Sequence, residues 1–247
     1  MPFYVVSLAP WRRHWALGAA LGLTLASLAW TGTQLRGGVH QTLPFGVVDR
    51  INVRGPWVAL SFADGPNPHI TPAIVRVLVQ HGATATFFAV GVSLMQDRRD
   101  VMIMTQAGDD VESHTMGHIN LASHSYRVDY RDLQAENMEI RALTGHTPRW
   151  LYPPYGAIDG TAVRAALAAH LTVILPSPGE GISPRVRRPA TIIQQVLSHV
   201  HAGAIIVLPD RVDDRAVLQA LPRLLHLLHV EGYRVGSVSD VQQYARQ

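Results

Sequence analysis

The chain has 247 residues, 47% of them hydrophobic, and a formal charge of +3, enough for one sizeable packed domain and an appendage. It has no cysteine and all 21 of its basic side chains other than histidine are arginine, which excludes disulfides, cysteine-ligated zinc, thiol nucleophiles, lysine Schiff bases and a P-loop lysine. The positive excess sits in residues 1–53, where four Arg face one Asp; residues 54–247 hold 17 Arg and 17 acids, so a nucleic-acid partner is not expected.

Trp15 to Leu35 carries no charge over 21 positions and follows Arg12 and Arg13. That length can cross a bilayer as a helix with its start toward the cytoplasm. Residues 1–36 are therefore read as a transmembrane signal-anchor, with a cleaved signal peptide ending near Ser27, Leu28 and Ala29 as the alternative. The first reading leaves an extracytoplasmic domain anchored in the cytoplasmic membrane; the second leaves a secreted one. Residues 37–54 read as a polar, Gly-containing stalk, and 55–247 as the exported domain.

The domain opens with an apolar strand, Trp57 to Phe62, which ends in a turn carrying Asp64 just before Gly65 and Pro66. Thr71 and Pro72 start a helix whose apolar positions Ile74, Val75, Leu78 and Val79 recur until Gly82. Ala83 to Val90 is a second strand, Ser93 to Ala107 its helix, and a short third strand ends at His114, four residues before His118. Tyr130 to Thr144 is helical, and Arg149 to Tyr152 is a strand entering Pro153, Pro154, Tyr155 and Gly156. Three further strand and helix units follow, with strands at Leu171–Leu175, Ala204–Leu208 and Tyr233–Val238 and helices at Val163–Ala169, Thr191–His201 and Val217–Val230, the last interrupted by Pro222. Strands alternating with helices imply an α/β fold with a parallel sheet, and this number suits a small, distorted (β/α) barrel of about seven strands. Chemistry in such folds collects at the C-terminal ends of the strands. Trp57 and Trp150 lie in strand-like contexts and read as core. Arg185, Arg187 and Arg188 read as a solvated loop face, with an anion grip as the alternative.

One carboxylate and two imidazoles from strand ends, Asp64, His114 and His118, are ligands of the kind that hold zinc or a similar divalent ion with a position left open. At this point the sequence resembles the polysaccharide deacetylase family, carbohydrate esterase family 4 with its NodB-homology domain. SFADGP stands where that family has TFDDGP, ATFF follows at the usual distance, and SHTMGH stands for its HxxxH motif. LYPPYG stands for RPPYG, AIIVLPD for a strand ending in Leu-His, and EGYRVGSVSD for the closing strand.

The resemblance implies metal-dependent removal of N-acetyl groups from cell-envelope glycans such as peptidoglycan or chitin-like chains. It implies Asp64, His114 and His118 as ligands of a divalent metal, zinc or else cobalt or a similar ion, and the backbone N–H of Tyr155 as an oxyanion donor. It also exposes departures. The family's general base falls on Ala63, the Arg that orients it on Tyr152, and the acid His on Pro209, while the Asp that assists the acid has no counterpart. Loss of a general base or acid typically costs about 10² to 10⁴ in rate. The expectation is a domain that keeps metal and glycan binding with deacetylation impaired or lost. The alternative is an active, atypical deacetylase in which a metal-activated water works with a substitute base. Glu112 is the better candidate, because a residue two before His114 in a strand faces the same side, and Asp210 is the other.

Overall fold

The computed structural model describes residues 45–211 and 215–245. The expected N-terminal transmembrane or signal helix lies outside them, and no helix among the described residues is long and apolar enough to cross a membrane.

Eight strands form one sheet, and every ladder between them is parallel: β1 (Val47–Val48), β2 (Trp57–Ala63), β3 (Thr86–Ala89), β4 (Asp110–Ser113), β5 (Trp150–Leu151), β6 (Thr172–Ile174), β7 (Ile205–Pro209) and β8 (Arg234–Gly236). Their order is β1-β6-β5-β4-β3-β2-β7, with β8 paired to the first half of β2 while β3 takes its second half. The two ends of the sheet are joined by irregular chain rather than a ladder. Arg50 bridges Ala204, the Ile51 N–H donates to the Gly203 carbonyl at 2.9 Å, and Gly181 bridges Val207. This is an α/β barrel of the distorted kind.

Residues 45–54, expected within the stalk, contribute to this closure. Val47 and Val48 pair with β6, and Val47, Ile51 and Val53 are buried. The extra two-residue strand brings the count to eight.

The helices cover the outside: α1 (Thr71–Gln80), α2 (Gly91–Gln96), α3 (Arg98–Ala107), α4 (Tyr126–Thr144), α5 (Gly160–Ala168), α6 (Pro189–His199), α7 (Arg215–Val230) and α8 (Val238–Gln243). The single helix expected over 93–107 is two, because Asp97 leaves helical geometry at φ −113°, ψ 48°. Pro222 does not interrupt α7, which runs through it and buries Ala216, Val217, Ala220, Leu221, Leu224, Leu225 and Leu228. Inside the barrel a separate apolar cluster includes Ala59, Ala63, Phe88, Ile174, Ile205 and Val207, with Trp57, Trp150 and Tyr152 packed against it. The two tryptophans are thus partly buried core residues, and Trp57 stacks on Tyr244 at 4.3 Å between centroids. Because all the strands run in parallel, their C-terminal ends share one rim. The candidate site is on it.

Candidate metal centre and groove

Asp64 follows β2 in the left-handed region, at φ 75°, and His118 adopts φ 53° in the loop after β4. Both are backbone conformations that cost energy in ordinary residues and persist where the surroundings enforce them. With His114 at the end of β4, their ligand atoms come together. The Nε2 atoms of His114 and His118 lie 3.1 Å and 3.0 Å from the same oxygen, Oδ1 of Asp64, and all three ligand atoms fall within 4.8 Å of one another.

The surroundings aim His114. Its ring is fully buried, its Nδ1 lies 2.5 Å from the Tyr152 carbonyl oxygen, and the Tyr152 ring stacks parallel on it at 5.2 Å. A carbonyl can only accept, so Nδ1 carries the proton and donates. In the neutral ring Nε2 then presents a lone pair to a carboxylate oxygen. Two acceptors facing each other in a buried site are satisfied by a cation between them, and an Nδ1–H held by a carbonyl is the usual support for a metal-binding histidine. The donor set therefore fits a divalent ion. Burial works against the charged form of Asp64, but hydrogen bonds and charge from the two histidines outweigh it and hold its carboxyl well below the usual carboxylate range.

Helix α4 braces the loop from below. Glu136, fully buried, accepts the His114 N–H at 3.0 Å and the Ser113 hydroxyl, and burial lifts its carboxyl to about 8. One turn earlier Asp132 accepts the N–H groups of Met116, at 2.7 Å, and Gly117, at 3.2 Å. Neither acid was among the residues singled out from sequence. For Glu136 the available signal was the stripe Asp129, Leu133, Glu136, Ile140, which has core spacing on a helix and acids within it; Asp132 lies outside that stripe.

The ligands open into a groove of about 430 Å³ whose lining includes Ala63, Asp64, His118, Tyr152, Tyr155 and Pro209. Tyr155, at φ 62° and largely exposed, sets its ring edge-on to His118 at 5.0 Å. Burial, and after it the Asp64 charge, pushes the Tyr152 phenol above its ordinary 10, so it is no base near neutrality. Ala63 and Pro209 are register partners on neighbouring strands, side by side at the rim. Neither side chain can move a proton.

The two expected substitute carboxylates are engaged elsewhere. Glu112 does lie on the His114 side of β4, but it is fully buried and faces the start of β5. Its oxygens take Nε2 of His146 at 3.0 Å and the N–H groups of Arg149 and Trp150 at 2.7 and 2.9 Å. Two residues along a strand is a step of roughly 6.6 Å, which puts it well below the rim. It is a structural acid, not a base facing the groove. Asp210 turns to the back of the Asp64 loop, where Oδ2 accepts the Thr71 hydroxyl at 2.5 Å and fills the space beside Gly65 that a Cβ would occupy.

Comparison with known proteins agrees with this geometry. The family model for polysaccharide deacetylase matches residues 50–174. A peptidoglycan-N-acetylglucosamine deacetylase of Bacillus cereus is 28% identical over 192 residues, covering 76% of this chain and 88% of the relative. A chitooligosaccharide deacetylase of Sinorhizobium fredii is 32% identical over 208 residues, covering 77% and 94%. Among solved structures, a mutant of BA3943 of Bacillus anthracis, described as a CE4 family pseudoenzyme with restored enzymatic activity, superposes with a TM-score of 0.75 at 25% identity, covering 81% of this chain and 72% of that one.

Proposed function

Since the chain belongs to the polysaccharide deacetylase family, we propose that it is an exported, membrane-anchored domain that binds a divalent metal and N-acetylated cell-envelope glycan while its deacetylation chemistry is impaired or lost. One observation carries this reading. Among the described residues lining the groove, Asp64 is the only carboxylate and His118 the only imidazole, and both belong to the ligand set.

A divalent ion held by Asp64, His114 and His118, with zinc the first candidate, would supply a Lewis acid for an acetamide carbonyl. The chain's own residues then divide the work. The Tyr155 N–H, on its left-handed turn beside His118, is the donor for the carbonyl oxygen. Tyr152 and Glu136 hold His114 in place, and Asp132 holds the Met116–Gly117 turn that leads to His118. Hydrolysis further requires one group to take a proton from water and another to protonate the departing amine. Ala63 and Pro209 stand at those positions and provide neither, and Glu112 and Asp210 are turned away. Binding without turnover is what remains. The description of BA3943 as a pseudoenzyme whose activity a mutant restores supports the same reading by analogy. Anchoring rests on the uncharged run from Trp15 to Leu35 after Arg12 and Arg13.

The test is acetate release from acetylated chito-oligomers and from peptidoglycan by the full chain in detergent, with zinc or cobalt and with chelator, beside the Ala63→Asp, Pro209→His double variant. The expected result is one bound equivalent of metal, lost in His114→Ala, with no chelator-sensitive release by the unmodified chain and measurable release by the double variant. Chelator-sensitive release by the unmodified chain would overturn the proposal and establish an enzyme.

A further inference from the structure

The end of the barrel where the strands begin, opposite the metal groove, carries a second group of histidines. His81 stands at the C-terminal end of α1, before the turn into β3, and His226 and His229 lie on the last turns of α7, before β8. The two on α7 are three residues apart, the spacing that sets side chains on one helix face about 5–6 Å apart at Cβ. Helix α7 packs against α1, and all three imidazoles line one cavity of about 470 Å³.

The chemistry of this cavity is that of nitrogen donors. Among its described lining residues there is no carboxylate, and its one guanidinium, that of Arg234, is held over the Trp57 ring at 5.6 Å. His114, His118 and His146 each face a carboxylate at 3.0–3.1 Å. The rings of His81, His226 and His229 are instead exposed and make no hydrogen bond or ion pair among the described residues. Their nitrogens do not converge as those of the Asp64 centre do, where the ligand atoms fall within 4.8 Å of one another. Turning them inward costs rotamer freedom and breaks no hydrogen bond. Three neutral imidazoles suit zinc, copper or nickel and not calcium or magnesium, which take oxygen, and a water completes the tetrahedron around zinc.

We propose that His81, His226 and His229 form a second site for a divalent transition metal, zinc or a neighbour of it, bridging the end of α1 and α7. It is separate from the Asp64 centre and from the function proposed for that centre. It is also the weaker site. No carbonyl or carboxylate holds the second nitrogen of its rings as the Tyr152 carbonyl holds His114, and such support is worth about 10- to 100-fold in affinity.

The experiment is equilibrium dialysis of the untagged full chain in detergent against graded zinc, with bound metal counted per chain. At free zinc that just fills the Asp64 centre one equivalent is expected, and a second at about 10- to 100-fold higher free zinc. His114→Ala should lose the tighter equivalent and keep the weaker. His81→Ala, and separately the His226→Ala, His229→Ala double variant, should lose the weaker and keep the tighter; all three side chains are exposed, so these variants keep the fold. A single equivalent that disappears with His114→Ala overturns the inference and leaves the Asp64 centre standing. A second equivalent that survives in His81→Ala overturns it as well, assigning that metal to other histidines of the chain. A single weaker equivalent, lost in His81→Ala and kept in His114→Ala, supports the inference and removes the metal from the Asp64 centre.

Discussion

Glu180 allows a direct test of how this fold treats charge beside its groove. The residue is fully buried, and neither carboxyl oxygen has a hydrogen-bond partner among the described residues, although its backbone is held on both sides. Its N–H donates to Ser177 at 2.8 Å and its carbonyl accepts from Val207 at 3.1 Å. Burial alone pushes the carboxyl from 4.5 up to about 8. A folded-state value above the unfolded one means the fold prefers the protonated acid. Stability from this group is complete below about pH 4.5, falls as pH rises while the unfolded chain ionises and the folded one does not, and levels off above about 8. The full difference corresponds to about 5 kcal/mol, and local water entry and relaxation reduce the expectation to about 3 kcal/mol. Glu180→Gln and Glu180→Leu remove the titration. In denaturant unfolding at about pH 5 and about pH 8, each variant's stability relative to the unmodified chain should rise by about 3 kcal/mol, or roughly 6–12 °C in melting temperature. Parallel stability–pH curves for all three chains would refute the reasoning.

Two further outcomes follow from packing. Gly203 has φ +82°, and a Cβ there would lie 1.8 Å from the Ile51 carbonyl oxygen, so Gly203→Ala must push the closing segment away from β7. Backbone strain and overpacking together predict a loss of about 3 kcal/mol or more in chemical unfolding, and a change below about 1 kcal/mol would contradict the close approach. Glu136→Leu leaves the buried His114 N–H and Ser113 hydroxyl without their acceptor, for a loss of about 2–5 kcal/mol and a metal affinity weakened about 10- to 100-fold. Glu136→Gln keeps an acceptor for the His114 N–H and should lose much less on both measures. Equal losses in the two variants would show that shape, not hydrogen bonding, holds the loop.

Alternation of strand and helix was enough to read the parallel sheet, and the rule that chemistry sits at strand C-terminal ends was enough to bring Asp64, His114 and His118 to one rim. Glu112 shows the limit of the same reasoning. Period-two alternation assigns a side of the strand and is silent on depth, so a residue on the correct side became a cap for the first N–H groups of β5. Residues 45–54 were missed for a related reason. Val47, Ile51 and Val53 recur at odd positions, but Asp49, Asn52 and Gly46 between them read as stalk, and the strand they build is only two residues long. The Asp97 break is a local conformational choice that helical periodicity passes over. The Tyr152 carbonyl was beyond sequence reasoning altogether, because every residue has one and only the register of β5 against β4 aims this one at His114.

On the function proposed above, the division of labour around the rim explains how ligands can persist where base and acid do not. His114 and His118 are held through β4, the loop after it, the α4 acids and the Tyr152 carbonyl, while Ala63 and Pro209 lie on the seam between β2 and β7. No hydrogen bond that fixes a ligand passes through the side chain of Ala63 or Pro209. Proline also removes a backbone donor, which inside a sheet would leave a carbonyl of the neighbouring strand unpaired. Here no β2 carbonyl is left unpaired: in the Ala63–Pro209 register the ladder bond comes from the Asp210 N–H, which donates to the Ala63 carbonyl at 2.7 Å, and the Pro209 nitrogen is on the side of β7 away from β2. The Asp210 carboxylate, tied to Thr71, packs against Gly65 behind the ligand Asp64. Pro209 therefore ends β7 without disturbing the loop that presents Asp64. Restoring Asp and His on the seam thus requires no repair of the cage beside it, whereas the third substituted position, Tyr152, is part of that cage through its ring on His114 and its carbonyl at Nδ1.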